Sequence, residues 1–316
     1  MMSERTTSRE TSAPVVAAPD RRRFSLPLRS LLFVPGNRES MLRKAAGTRP
    51  DVFVPDLEDS VPSHEKGNAR EIVRRTLGLL VETGQPVFPR LNGIDTAWLE
   101  EDVLALVGPE IQGVSVGKIR TPDDIRRIDA LLARAERGRG LEVGRIKLIP
   151  WIETAAAVLD ALRIATASDR IVALAFGAED LTLDMGIRRS SDDSEVSVAR
   201  SLTCLAAAAA EVAALDTPFF AFRDLAALER NSEESRRIGF RGKFAIHPGQ
   251  LATIQRIFSP SPEELEEARR VIAAFEEAAK GGRGATSLDG RVVDIPVVAR
   301  ARAVLASVPN LSEPIR

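Results

Sequence analysis

What this chain has little of narrows the reading first. Its 316 residues include one cysteine, Cys204, in a Leu/Ala-rich segment. One cysteine makes no intrachain disulfide and no thiolate metal cluster. The plain reading is a small buried apolar residue, and a cytoplasmic location is expected. Two histidines, His64 and His247, leave little room for a histidine-rich metal site. The formal net charge of -1 gives no support for a nucleic-acid footprint. No apolar run approaches the roughly 18 residues of a membrane span. No Gly-x-Gly-x-x-Gly or Walker-type loop follows an apolar run. Partners among nucleic acids or membranes are therefore not expected.

What is present is ordinary for a globular protein. The hydrophobic fraction is 44% and the charged fraction 28%. The length suits one barrel with a short appendage. Residues 1–24 are rich in Ser, Thr, Arg and Pro and lack the apolar core of a secretory signal. Glu4, Glu10 and Asp20 argue against a transit peptide, and a disordered tail is the expectation.

From residue 29 onward, short apolar runs alternate with helical patterns. The expected strands are Ser30–Val34, Val52–Leu57, Pro86–Leu91, Gly113–Ile119, Ile146–Ile152, Ile171–Phe176, Pro218–Phe222 and Lys243–Ile246. Most are continuous rather than alternating, as strands buried on both faces are. Helix starts are readable between them. Thr121 is an N-cap, Pro122 a first-turn proline, and Asp123 and Asp124 suit the positive end of the helix dipole. Eight such units predict an α/β fold, a (β/α)₈ TIM barrel over residues 25–258. A further helix starts at a capping box of Ser261, Pro262 and Glu264, with Leu265, Ala268, Ile272 and Phe275 as its apolar stripe. The glycines at 281, 282 and 284 and a turn at Leu288-Asp289-Gly290 follow, so residues 259–316 read as a helical extension and lid.

On a barrel, many of the polar residues fall at the carboxyl ends of strands, where barrel active sites are built. Asp56, Glu58 and Asp59 follow strand two, Arg90 ends strand three, and Lys118 ends strand four. Glu153 follows strand five, Asp180 strand six and His247 strand eight. Two carboxylates, Glu153 and Asp180, suit Mg²⁺, which prefers oxygen ligands and keeps several waters. Zinc would want histidine or cysteine nearby. Glu153 can equally serve the helix start at Thr154, and Glu179 can replace Asp180, since adjacent acids cannot point the same way. Arg90 can bind a carboxylate or a thioester oxyanion, or simply pair with the Asp56, Glu58 and Asp59 cluster as its outer support. Lys118 offers either a Schiff-base amine or electrostatic support, and His247 either a substrate contact or a turn.

Seven segments then resemble one family in order along the chain. They are Arg-Ser-Leu-Leu-Phe-Val-Pro-Gly (29–36), Asp-Leu-Glu-Asp-Ser-Val (56–61), Arg-Leu-Asn (90–92), Ile-Glu-Thr-Ala (152–155), Phe-Gly-Ala-Glu-Asp-Leu (176–181), Gly-Phe-Arg-Gly-Lys-Phe-Ala-Ile-His-Pro (239–248) and Leu-Asp-Gly-Arg-Val-Val-Asp (288–294). The series resembles the citrate lyase beta-subunit-like, malyl-/citramalyl-CoA lyase-like branch of the HpcH/HpaI aldolase/citrate lyase family. The resemblance implies a TIM barrel, a homo-oligomer (a trimer or a multiple of it), Mg²⁺, and substrates that join an acyl-CoA thioester to a small oxo acid. It implies Glu153 and Asp180 as metal ligands, Glu153 and Arg90 as substrate-binding, and Arg90 and Asp294 as catalytic, with Asp294 entering a neighbouring subunit's site. It settles the Glu179 ambiguity toward Asp180. The CoA so implied needs cations for its phosphates, and Arg38, Arg43 and Lys44, at and after the first strand-to-helix turn, are candidates for them or else a solvated basic helix face. Two departures stand out. The family often has Pro-Lys where this chain has Gly117-Lys118, and a Met where Val292-Val293 precede Asp294.

The reaction so implied is a retro-Claisen cleavage of a 3-hydroxy-3-carboxyacyl-CoA such as malyl-, citramalyl- or citryl-CoA. The alternatives are a metal-dependent 2-oxo acid aldolase without CoA, a malyl-CoA thioesterase, and a non-catalytic subunit of a citrate lyase-like complex.

Overall fold

A computed structural model describes residues 27–190 and 192–307; the expected N-terminal tail lies outside the described residues. Eight parallel strands close into a barrel in sequence order. They are β1 (Ser30–Pro35), β2 (Val52–Asp56), β3 (Arg90–Leu91), β4 (Gly113–Val116), β5 (Lys147–Ile152), β6 (Ala173–Phe176), β7 (Ala213–Asp216) and β8 (Gly242–Ala245). Closure comes from β8 against β1, in the register Ser30↔Lys243 and Leu31↔Phe244. Around the barrel run α1 (Glu39–Ala45), α2 (Lys66–Val81), α3 (Trp98–Leu106), α4 (Pro122–Gly138), α5 (Ala155–Leu159), α6 (Ala161–Ala165), α7 (Ala178–Asp184), α8 (Ser197–Ala209), α9 (Leu225–Ile238) and α10 (Leu251–Ile257). The expected eight-unit α/β barrel is the observed fold.

The two-residue period of a strand sorts its side chains between two cores. Leu31 and Phe33, Val52 and Val54, Phe88, Ile149 and Trp151, Ala173 and Ala175, Leu215 and Phe244 fill the barrel's interior. The intervening residues, among them Leu32, Val34, Phe53, Val114, Val116, Leu148, Leu174 and Phe176, pack under the helices. Both faces are therefore buried, which is why the strands read as continuous apolar runs. The small Ala173 and Ala175 leave volume for three rings. Phe33, Trp151 and Phe244 stack on one another at centroid distances of 4.6 to 5.8 Å.

The seventh strand corrects the sequence reading. Pairing places it at Ala213–Asp216, not at Pro218–Phe222. The Ala-Ala-Leu-Asp run looks like a continuation of the alanine-rich α8, whereas the aromatic run that follows has strand-forming residues. That run lies instead in the loop leading to α9, with Phe220 53% exposed. β3 is also shorter than expected. Pro86 and Pro89 have no backbone N–H for a ladder, and only an isolated bridge, Phe53↔Val87, precedes Arg90. The helix expected to start at Thr154 is two short helices, α5 and α6, meeting at Asp160.

The expected capping box at Ser261 is present, and the expected N-cap at Thr121 is a capping box as well. Thr121 accepts from the Asp124 N–H and Ser261 from the Glu264 N–H, with the reciprocal side-chain bonds in place. The second opens α11 (Pro262–Lys280). A hairpin of β9 (Thr286–Leu288) and β10 (Arg291–Val293) follows, then α12 (Ile295–Ala306). The hairpin turns at Asp289 (φ 49°) and Gly290 (φ 76°), the left-handed pair that an Asp-Gly turn supplies. Residues 291–293, within the expected helical extension, are thus a strand. These C-terminal elements bury a small core of their own, Ala268, Val271, Val293, Val298 and Ala301, separate from both barrel cores. Arg236 of α9 ties α11 to the barrel through Glu264 at 2.8 and 2.9 Å.

Candidate active site

Strand parity delivers the candidate residues. Asp56 lies two residues beyond the inward-facing Val54, Arg90 two beyond Phe88, and Glu153 two beyond Trp151. All three therefore continue the interior columns into the mouth of the barrel. Each is buried.

Arg90 is held on several sides. Its Nε and Nη2 donate to Asp56 Oδ1 and Oδ2 at 2.6 and 2.7 Å, a two-point bridge. Nη1 donates to Asp59 Oδ2 at 3.1 Å and lies 2.9 Å from Glu58 Oε2. Below it, the guanidinium sits 4.7 Å from the Phe33 ring centre and 5.8 Å from that of Trp151. Trp151 is itself fixed by donating from Nε1 to Ser115 Oγ at 2.7 Å. Burial pulls the guanidinium pKa down, but the charges of Asp56, Glu58 and Asp59 outweigh it, so Arg90 stays charged. For Asp56, burial pushes the carboxyl up, and the Arg90 charge and hydrogen bonds overcome that and leave it below the usual range.

Glu58 is different. Both its oxygens are buried and neither has an aligned hydrogen bond among the described residues, because the Arg90 contact is close but poorly directed. Burial, with the repulsion of Asp59 and Glu153, pushes its pKa well above the carboxylate range despite Arg90. Glu153 is 1% exposed. Its pKa is pushed up to about 7, with burial and the Asp180 charge raising it against the pull of Lys118.

Two glycines make the space for Glu153. Both continue interior columns, Gly117 two residues after Ser115 and Gly177 two after Ala175. A Cβ on Gly117 would lie 2.7 Å from Glu58 Oε1 and 2.9 Å from Glu153 Oε1. A Cβ on Gly177 would lie 2.7 Å from both Glu153 Cβ and Oε2. No sequence motif flagged this cradle, although strand parity from the neighbouring inward residues could have.

Lys118 reaches Asp180 Oδ1 with its ammonium at 2.5 Å and donates its backbone N–H to Glu153 Oε1. Burial lowers its pKa but Glu153 and Asp180 raise it more, so the amine stays protonated. The ion pair with Asp180 fits the electrostatic alternative. Orientation separates the two adjacent acids. Glu179 turns outward to Arg189 at 2.8 Å, while Asp180 turns to Lys118. His247 accepts from the Gly249 N–H at 3.0 Å and stacks on Phe222, the turn role of its two readings.

The remaining candidates are not gathered here. Arg38, Arg43 and Lys44 are exposed on or beside α1, and Arg43 pairs with Glu39 at 2.7 Å. Asp294 caps α12, accepting from the Val297 N–H at 3.3 Å. Among the described residues it has no hydrogen bond or ion pair to the barrel mouth.

The donor set fits Mg²⁺. Among the described residues no group of three or more His, Cys, Asp or Glu side chains is placed to hold a metal ion. An open pair such as Glu153 and Asp180 is the pattern of a cation that keeps waters and takes substrate oxygens. Five carboxyls, Asp56, Glu58, Asp59, Glu153 and Asp180, crowd one mouth beside Arg90 and Lys118. Their repulsion is what a divalent cation relieves.

A closed parallel barrel with convergent acids and an arginine at its carboxyl end defines a class, the TIM-barrel enzymes. The family model of HpcH/HpaI aldolase/citrate lyase matches residues 29–248, and the chain belongs to that family. It is 36% identical over 277 residues to citrate lyase subunit beta of Leuconostoc mesenteroides subsp. cremoris, covering 88% of this chain and 92% of that one. It is 35% identical over 280 residues to a (3S)-malyl-CoA thioesterase of Cereibacter sphaeroides, covering 89% and 94%. Among solved structures, protein CitE from Mycobacterium tuberculosis in complex with magnesium, acetoacetate and coenzyme A superposes with a TM-score of 0.73. That match is 29% identical and covers 89% of this chain and 98% of the other.

Proposed function

We propose that this chain is a Mg²⁺-dependent carbon–carbon lyase that cleaves a 3-hydroxy-3-carboxyacyl-CoA to an acyl-CoA and a 2-oxo acid. The observation that carries the reading is the Glu153–Asp180 pair set beside Arg90 on one barrel mouth. The magnesium and coenzyme A in the CitE complex support it.

Glu153 and Asp180 would hold the cation, which supplies a Lewis acid for the hydroxy-acid end of the substrate. Arg90 would present its guanidinium to the thioester oxygen and stabilise the enolate left when the carbon–carbon bond breaks. Asp56 and the aromatic floor hold Arg90 in register for that task, and Asp56, Glu58 and Asp59 form its acidic support. Asp294 of a second copy would accept the hydroxyl proton as the oxo acid forms. Among the described residues it makes no hydrogen bond or ion pair to its own chain's mouth, which supports a role in trans and with it a homo-oligomer such as a trimer. The hairpin and α12 would then act as the lid. Arg38, Arg43 and Lys44 remain the proposed contacts for CoA phosphates. We place the enzyme in the cytoplasm, on the strength of its single buried cysteine.

A second reading, hydrolysis of the thioester, is favoured by the likeness to the malyl-CoA thioesterase. Incubating the purified chain with Mg²⁺ and malyl-, citramalyl- and citryl-CoA, and identifying products, separates the two. A lyase releases oxo acid and acyl-CoA; a thioesterase releases free CoA and the hydroxy acid. Wild-type turnover in Glu153→Gln or Asp180→Asn would show the metal assignment to be wrong.

A further inference from the structure

One residue, Lys118, engages both acids of the pair in different ways. Its backbone N–H donates to Glu153 and its ammonium to Asp180. The backbone there has φ 59°, in the left-handed region that a lysine seldom adopts. This turn lets main chain and side chain of one residue serve two carboxylates. Gly93 makes room for the lysine stem, since a Cβ there would lie 2.9 Å from Lys118 Cγ. Two further acids stand close to the ammonium, Glu153 with Oε1 3.9 Å from Nζ, and Asp59. Asp59 Oδ1 is 4.0 Å from Nζ, and the Asp59 side chain is 54% exposed, with its other oxygen on Arg90.

The ammonium occupies the oxygen that a cation would need. A divalent ion sits about 2.1 Å from a carboxylate oxygen, and two positive charges on Asp180 Oδ1 repel. We propose that Lys118 is a positioning residue, an internal counter-cation that keeps Glu153 and Asp180 together without metal and moves from Asp180 to Asp59 when the divalent ion enters. The inference rests on the reading of Glu153 and Asp180 as the acids that hold the ion. The Lys118 backbone N–H keeps its hold on Glu153 throughout, so only the flexible stem moves. Asp59 has the exposure to receive it.

The test is a double-mutant cycle read by calorimetric titration of the full chain with MgCl₂, with no substrate present. Asp59→Asn should weaken Mg²⁺ binding about tenfold, because the displaced ammonium loses its second partner; in a Lys118→Met background the same change should alter binding by less than about twofold. Equal weakening in both backgrounds would mean that Asp59 serves the ion or its waters directly, and overturns the exchange. No weakening in either background overturns it too. Lys118→Gln, which keeps the length of the stem, provides the same cycle if Lys118→Met does not fold. Glu153→Gln and Asp180→Asn are the controls. If they bind Mg²⁺ as the wild type does, the pair does not hold the ion at all. If they lose binding while the cycle is additive, only the lysine exchange falls.

Discussion

Arg90 and Asp56 are register partners on adjacent strands and join side chain to side chain through two parallel hydrogen bonds. One ladder position therefore fixes both the backbone and the guanidinium that faces the mouth. Lysine keeps the charge but not the planar fork. Arg90→Lys should lower kcat/KM by about 10²-fold or more, as loss of an aligned oxyanion donor does. Stability should fall by roughly 2 kcal/mol, from charge-assisted hydrogen bonds lost to a buried acid. Steady-state kinetics beside urea unfolding checks both. A variant with wild-type kcat/KM would confine Arg90 to a structural pairing.

Gly117 tests the cradle independently of any charge. Its added Cβ would meet only the ends of two side chains, Glu58 and Glu153. Those ends can shift, so Gly117→Ala should fold with a melting temperature near the wild type. The shift moves an acid that supports or holds the ion, and Mg²⁺ affinity should fall about 10- to 100-fold, as for other disturbed supports of a metal site. Unchanged affinity would show that Glu153 has slack the packing does not suggest. Gly242→Ala is the contrasting control. There the Cβ would run into the backbone carbonyl of Leu28, which cannot give, so that variant should fail to fold.

The fold was legible in this chain largely because both faces of each strand are buried. Ile149, Trp151 and their neighbours read as one apolar run whichever core each side chain enters. β7 failed for the converse reason. Ala213 to Asp216 have little strand propensity, and their strand state comes from pairing with β6 and β8 rather than from local preference. The strand ends were readable, so Arg90, Glu153 and Asp180 could be placed on one face. What they do to one another was not. The outward turn of Glu179, the left-handed turn at Lys118 and the open column at Gly117 and Gly177 are properties of packed neighbours. The aromatic floor under Arg90 likewise needs β1, β5 and β8 brought together across the barrel.

A second buried network should contribute to the acid stability. On the helix-facing side of the barrel, Asp216 meets Lys243 at 2.5 Å, Arg200 at 3.0 Å and Ser235 Oγ at 2.6 Å. Burial pushes the Asp216 carboxyl up, but the charges of Lys243 and Arg200 outweigh this and leave it below the usual range. The unfolded chain takes up its proton near pH 3.9, while the native state still holds the charge. The stabilisation is therefore complete above about pH 4 and is lost as pH falls through the lower native value. Asp216→Asn should lose about 3–5 kcal/mol at pH 7, since it leaves Lys243 buried and unpaired. It should also show a shallower loss of stability below pH 4. Urea midpoints at pH 7, 4 and 3 measure both, and an unchanged acid slope would assign the transition to other carboxyls.

Asp294 caps α12 in its own chain and lies on a unit whose core is separate from the barrel. Its two neighbours on the exposed face, Val292 at 68% and Ile295 at 70%, are apolar side chains offered to solvent. Both features fit a segment that completes the site of another copy. Mixing Asp294→Ala chains with Arg90→Ala chains then has a definite outcome. Each homogeneous variant should be nearly inactive. A mixed oligomer should contain sites that draw Arg90 from one chain and Asp294 from the other. Random assembly makes about a quarter of sites complete when the two chains are equal in amount, given that every site in a symmetric ring uses the same pair of surfaces. Activity should therefore recover to about that fraction after co-refolding, with mixing verified by two different affinity tags. Tag-verified mixed oligomers that stay inactive would place Asp294 outside the shared site and leave it as the cap of α12 alone.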